Sequence, residues 1–100
     1  RNKKSLTLDL HKDEAKDIFK KLAGQVDVLI ENFRPGTLEK WGVGYDVLKE
    51  INPRLIMIRV SGYGQTGPFK DKAGFGTPAT AFSGFTYIQG FPDRHPVSPS

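Results

Sequence analysis

The sequence predicts an α/β fold, part of an open, mostly parallel sheet in the order β-α-β-α-β, followed by a glycine-rich loop and a short helix. Two observations carry this. Val28-Leu29-Ile30 and Leu55-Ile56-Met57-Ile58 are short, nearly continuous apolar runs, the pattern of strands covered on both faces. Ahead of the first run, Ala15, Ile18, Phe19, Leu22 and Ala23 recur at 3-1-3-1 spacing, which places them on one side of an amphipathic helix.

Taken in order, residues 5–10 alternate polar and apolar with Leu6, Leu8 and Leu10, the period of a strand with one buried face. Asp13 is placed to cap the helix that follows, and Gly24 to supply a left-handed stop. Residues 26–30 are the second strand, so strand, helix and strand form a βαβ unit with an expected right-handed crossover. Residues 31–36 leave it as a loop. Thr37 is placed to cap a short helix through Trp41, and Gly42-Val43-Gly44 interrupts it. Residues 45–51 read as another helical segment with Tyr45, Leu48 and Ile51 on one side, stopped by Asn52-Pro53. The third strand is residues 55–60. Residues 61–68 are a loop rich in glycine and polar side chains. Thr77 followed by Pro78 is an N-cap with proline at the first helical position, and Gly84 closes that segment. Residues 85–88 are aromatic and β-prone but too short to place, and residues 91–100 read as an extended connector.

Composition narrows the function. The chain has 100 residues, no cysteine, and 15 Lys+Arg against 11 Asp+Glu, a net charge of +4, with 37% hydrophobic and 26% charged residues. That is the make-up of a soluble globular chain. It excludes a disulfide-built scaffold and a cysteine-ligated metal site. No apolar run approaches the ~20 residues of a membrane-spanning helix, so no membrane partner is expected. Basic residues are spread along the chain rather than gathered into a stripe, so no nucleic-acid partner is expected either. The one dense cluster, Arg1-Asn2-Lys3-Lys4, is either a solvated terminus or a phosphate site. The chain opens on Arg1 rather than Met, and three strands make a thin core, so a piece of a longer polypeptide or an intertwined partner is expected.

Ligands of open parallel sheets gather at the carboxyl ends of the strands. The loops there carry His11, Lys12, Asn32, Phe33 and Arg34. Cations and amides suit phosphate, and an aromatic suits stacking, so the set fits a phosphorylated heterocyclic ligand. Ordinary turn chemistry explains much of the same composition. Other motifs fail. Gly62-x-Gly64-x-x-Gly67 matches the dinucleotide fingerprint by letter, but Pro68-Phe69-Lys70-Asp71 is a poor helix opening. His11 and His95 are too isolated to form a metal pair, so no metal is expected. Trp41, beside Leu38 on a helix face, is expected in the core. No nucleophile has a base in place.

Residues 2–10, 27–36, 52–56 and 61–68, in this order and spacing, resemble the family III CoA-transferases, the group that includes formyl-CoA and carnitine CoA-transferases and the alpha-methylacyl-CoA racemases. The resemblance implies that residues 1–100 are a fragment of the large, CoA-binding, Rossmann-like domain of a longer chain that forms an interlocked homodimer. It implies coenzyme A or acyl-CoA and a carboxylic acid as substrates. The absence of cysteine and of a signal pattern leads us to expect a cytoplasmic protein, or a mitochondrial one if a transit peptide lies upstream. The resemblance places CoA contacts on Leu8, Asp9, Leu10 and His11, on Asn32, Phe33 and Arg34, and on Lys40. The family often has lysine where His11 stands, and commonly arginine where Lys40 stands. The family's catalytic aspartate forms an acyl anhydride and then a CoA thioester, and it falls beyond Ser100, so no catalytic residue is expected within the chain. Phe75-Gly76 replaces the His-Asp of the racemases at that motif, and neither side chain can move a proton. An acyl-CoA racemase or isomerase, or a non-catalytic CoA-binding paralogue, are the alternative implications.

Overall fold

The structure is a computed structural model that describes residues 2–97. Its elements are α1 (Asp13–Ala23), β1 (Val28–Glu31), α2 (Thr37–Lys40), α3 (Tyr45–Ile51), β2 (Ile56–Arg59) and α4 (Gly76–Phe82). β1 and β2 pair in parallel, with Val28 opposite Ile56, Leu29 opposite Met57, Ile30 opposite Ile58 and Glu31 opposite Arg59. Parallel neighbours need a crossover, and α2 and α3 provide it.

The amphipathic stretches fold as their spacing dictates. In α1, Ala15 and Ala23 are buried and Phe19 packs on a core of Ala23, Leu48 and Leu55, joined by Leu29. Ile18 and Leu22 lie at the edge of that face and are 44% and 41% exposed. Leu48 of α3 is fully buried, whereas Ile51 is largely exposed. Asn52 ends α3 and also clasps the chain before β1. Its Nδ2 donates to the Ala23 carbonyl at 3.0 Å and to the Val26 carbonyl at 2.9 Å.

Several expectations need correction. Among the described residues the sheet has two strands, and residues 5–10 form none. Leucines at period two give a strand-like pattern, but a strand also needs a neighbour for its backbone groups. No strand pairs with this segment, and Leu6 is 62% exposed. The order is therefore α-β-α-α-β-α. β1 and β2 are not covered on both faces, because Val28, Ile30, Ile56 and Ile58 share one exposed face. The Cα radius of gyration is 17.6 Å, against about 13 Å for a compact 100-residue domain. Gly24 is right-handed (φ −67°, ψ −14°), because the helix tightens into a last turn in which Gln25 N–H donates to the Leu22 carbonyl. Asp13 and Thr37 are first helical residues rather than caps, following Lys12 and Gly36 respectively. Asp13 instead accepts a 2.7 Å hydrogen bond from Lys16 Nζ. α4 begins at Gly76, one residue before the expected cap, which puts Pro78 third in the helix. That is still within the first turn, where a missing N–H costs little. Residues 85–97 form turns and irregular chain, and residues 98–100 of the expected connector lie outside the described residues.

Candidate functional site

The carboxyl ends of β1 and β2 open into a cleft of about 570 Å³. One wall is the loop after β1, with Asn32, Phe33, Arg34 and Pro35. The floor is Val60, Ser61 and Gly62, which leave β2, and the far wall carries Lys72 and Phe75. The two later segments meet through glycine. A Cβ on Gly62 would lie 2.6 Å from the Gly74 Cα, so the backbones can approach this closely only without a side chain there. Behind the contact, Tyr63, Phe69 and Phe82 pack ring on ring with centroids 5.3–5.9 Å apart. Lys72 Nζ lies 4.1 Å above the Phe69 ring, an arrangement that favours the cation.

The β1 loop is held from beneath. Glu31 is the one buried charged residue among those described, and its side chain is 3% exposed. Oε2 accepts the Phe33 N–H at 2.6 Å, and Oε1 accepts Arg59 Nε at 2.7 Å. Arg59 then donates through both remaining nitrogens to Glu39 of α2, at 2.8 and 3.1 Å. These bonds stabilise both charged forms. The Arg59 guanidinium draws the Glu39 carboxyl below its usual range, and Glu39, followed by Glu31, raises Arg59.

Around the corner, Trp41 connects two of the expected ligand segments. Its ring meets His11 at 5.0 Å and Phe33 at 5.3 Å, both edge-on. Asp9 orients the histidine, accepting the His11 backbone N–H at 3.1 Å and facing Nδ1 at 2.9 Å. The same His11 bonds lower the Asp9 pKa. An ionised carboxylate only accepts hydrogen bonds, so Nδ1 donates in this contact.

The structure thus brings His11 and Phe33 to one tryptophan, and Asn32, Phe33 and Arg34 to one cleft. Lys40 precedes Trp41 at the end of α2 and is exposed. Leu8 and Leu10 are half-buried and lie in irregular chain before α1; they do not line the cleft. Trp41 is a partial correction, because it is half-buried and bridges two loops instead of filling the core with Leu38. Glu31, Arg59 and Lys72 escaped the sequence reading. The signal for the first two was the opposite charges that close the two apolar runs.

Parallel strands that open at their carboxyl ends into a cleft walled by cations and aromatics have the general form of an α/β ligand-binding unit. The model of CoA-transferase family III matches residues 1–100, and the chain belongs to that family. It is 59% identical over 99 residues to the succinyl-CoA–L-malate CoA-transferase beta subunit of Chloroflexus aurantiacus, covering 99% of this chain and 24% of that protein. It is 41% identical to human succinyl-CoA:glutarate CoA-transferase, covering 99% and 23%. Among solved structures, a CAIB/BAIF family protein from Brucella suis superposes with a TM-score of 0.88 at 38% identity, covering 99% of this chain and 26% of that one. The chain spans about a quarter of the length of these relatives.

Proposed function

We propose that the polypeptide carrying these residues transfers coenzyme A between carboxylic acids, and that residues 1–100 are part of its CoA-binding domain. The observation that carries this is the cleft at the strand ends, with Asn32, Phe33 and Arg34 facing Lys72 and Phe75. Arg34 and Lys72 suit the phosphates, and the aromatics suit the heterocycle. His11 meets Trp41 next to Phe33, Lys40 precedes that tryptophan in the chain, and Leu8, Asp9 and Leu10 precede the histidine. The relatives' names supply the reaction class, and three C. aurantiacus or human relatives share succinyl-CoA as the named donor.

In this reading an aspartate beyond Ser100 attacks the thioester carbonyl of the donor. The C–S bond breaks, CoA leaves as the thiolate, and an acyl-aspartyl anhydride forms. The thiolate then attacks the aspartyl carbonyl, releasing the donor's carboxylate and leaving an enzyme thioester that passes CoA to the acceptor acid. Racemisation is disfavoured, because Phe75 and Gly76 lie in the cleft wall and neither holds a transferable proton. The exposed aliphatic face of the sheet is consistent with an interlocked homodimer. A cytoplasmic location belongs to the same reading; among the described residues no helix is long and apolar enough to cross a membrane.

The test is CoA binding by calorimetry and transfer from succinyl-CoA to a dicarboxylic acid, using the full-length polypeptide. Arg34→Ala removes a charged donor, a change of order 1.5–3 kcal/mol, so CoA affinity should fall about 10- to 100-fold. Wild-type protein that neither binds CoA nor transfers it, or an Arg34→Ala variant that binds as tightly as wild type, refutes the assignment.

A further inference from the structure

We infer that Glu31 is a positioning residue for the ligand loop, setting the backbone of residues 32–34 through the Phe33 amide before ligand arrives. The inference rests on the cleft reading above. Phe33 is 41% exposed and lies in a loop without regular structure; its ring meets Trp41 edge-on, but its backbone amide takes no part in a helix or sheet. What holds it is a carboxylate at the end of β1, with one oxygen on the Phe33 N–H and the other on Arg59.

The arrangement is specific in three ways. First, Glu31 and Arg59 are register partners across the parallel pair, so the last rung of the sheet sets where the carboxylate sits. Second, Arg59 is itself fixed from the far side by the two bonds to Glu39, which leaves Glu31 little freedom to rotate away. Third, every buried side-chain polar atom among the described residues is partnered, so the network is complete without ligand. A buried ion pair adds little stability compared with apolar side chains of similar volume, and what it supplies is geometry. A loop held in its bound shape binds more tightly because less ordering is left to do.

Glu31→Gln tests this with minimal change in shape. The carboxylate accepts on both oxygens, whereas an amide has one acceptor. The guanidinium claims the remaining oxygen, and the NH2 is left facing the Phe33 N–H, donor against donor. In the full-length polypeptide, CoA affinity should fall about tenfold and the KM for acyl-CoA should rise with it. The KM for the acceptor acid should stay within twofold. Hydrogen exchange supplies the second readout. The Phe33 amide should be protected in ligand-free wild type and lose that protection in the variant, while the Leu48 and Asn52 amides keep theirs.

An unprotected Phe33 amide in ligand-free wild type overturns the inference, even if Glu31→Gln fails to fold. So does a variant that binds CoA within twofold of wild type, or one that loses protection equally at Leu48 and Asn52, since that is a general structural role. If wild type shows the protected amide but no CoA binding, the cleft reading fails, and the role assigned to Glu31 in ligand binding fails with it. If wild type binds CoA and Glu31→Gln binds as well, only this inference fails.

Discussion

Asn52 offers the sharpest test of how the chain is held together. Read as a helix stop, it should tolerate alanine, since Pro53 alone ends α3. In the structure it joins three segments: Nδ2 donates to the carbonyls of Ala23 and Val26, and Oδ1 accepts the Arg54 N–H at 3.1 Å. A net hydrogen bond contributes about 0.5–1.5 kcal/mol, which puts the set at roughly 1.5–4.5. Two of the three bonds are exposed to water, which can replace them, so Asn52→Ala should cost about 2 kcal/mol. Asn52→Asp discriminates better. It is nearly isosteric, yet it turns the two-hydrogen donor into a carboxylate oxygen facing two carbonyl oxygens, so it should cost more than alanine, about 3 kcal/mol at neutral pH. Urea unfolding of the full-length polypeptide measures both, and hydrogen exchange at residues 24–28 shows whether the loss is local. If both variants lie within 0.5 kcal/mol of wild type, or if Asp is milder than Ala, the clasp does not hold the α1–β1 turn.

Two further predictions concern the Arg59 network. Gly44 has an ordinary extended backbone (φ −70°, ψ 173°), but a Cβ there would sit 2.9 Å from Glu39 Cγ and 3.0 Å from its Oε1; Gly44→Ala should therefore push Glu39 off Arg59 and cost about 1 kcal/mol, and a double-mutant cycle should find most of that cost gone in a Glu39→Ala background. Arg59 lowers the Glu39 pKa below 4.5 in the folded state, so the folded protein holds this proton less readily than the unfolded chain. The contribution is present above that value and is lost as pH falls through the lower, folded value. Acid unfolding curves of wild type and Glu39→Gln should therefore draw together as pH falls below 4.5, and a constant gap across the acid range would refute the pairing.

How much of this was legible in the sequence depends on whether the determinant is local. The helices Asp13–Ala23 and Tyr45–Ile51 follow from apolar spacing, with Gly24 and Asn52-Pro53 as punctuation within a residue of each end. β1 and β2 were visible as apolar runs. Residues 5–10 misled because alternation reports only a side-chain pattern, whereas a strand is completed by a neighbour elsewhere in the chain. Covering both faces of β1 and β2 is non-local in the same way. At the site, Asn32, Phe33 and Arg34 could be placed from their position after a strand. The bond from Arg59 to Glu31, 28 residues away, depends on register, which neither residue announces. Trp41 was misjudged because burial habits average over orientation, and here the orientation is set by His11 and Phe33.

The two non-local devices also divide the labour along the strands. Ala23, Leu55 and the Asn52 clasp all lie just before β1 and β2 begin, while the fully buried Leu38 and Val43 follow β1, so apolar packing supports both ends. Glu31, Arg59 and the cleft lie at the carboxyl ends. Each strand has four residues, so the two ends are about 10 Å apart at ~3.3 Å per residue, the distance beyond which side chains stop perturbing one another strongly. Glu31 is buried and Arg59 is partly exposed, so the polar edge depends on the completeness of its hydrogen bonds. The Asn52 clasp and the Glu31–Arg59–Glu39 network are thus separate supports, one at each end of the two strands. An exposed, irregular loop therefore has an amide pinned by a buried carboxylate, and the precision of that contact comes from the strand register.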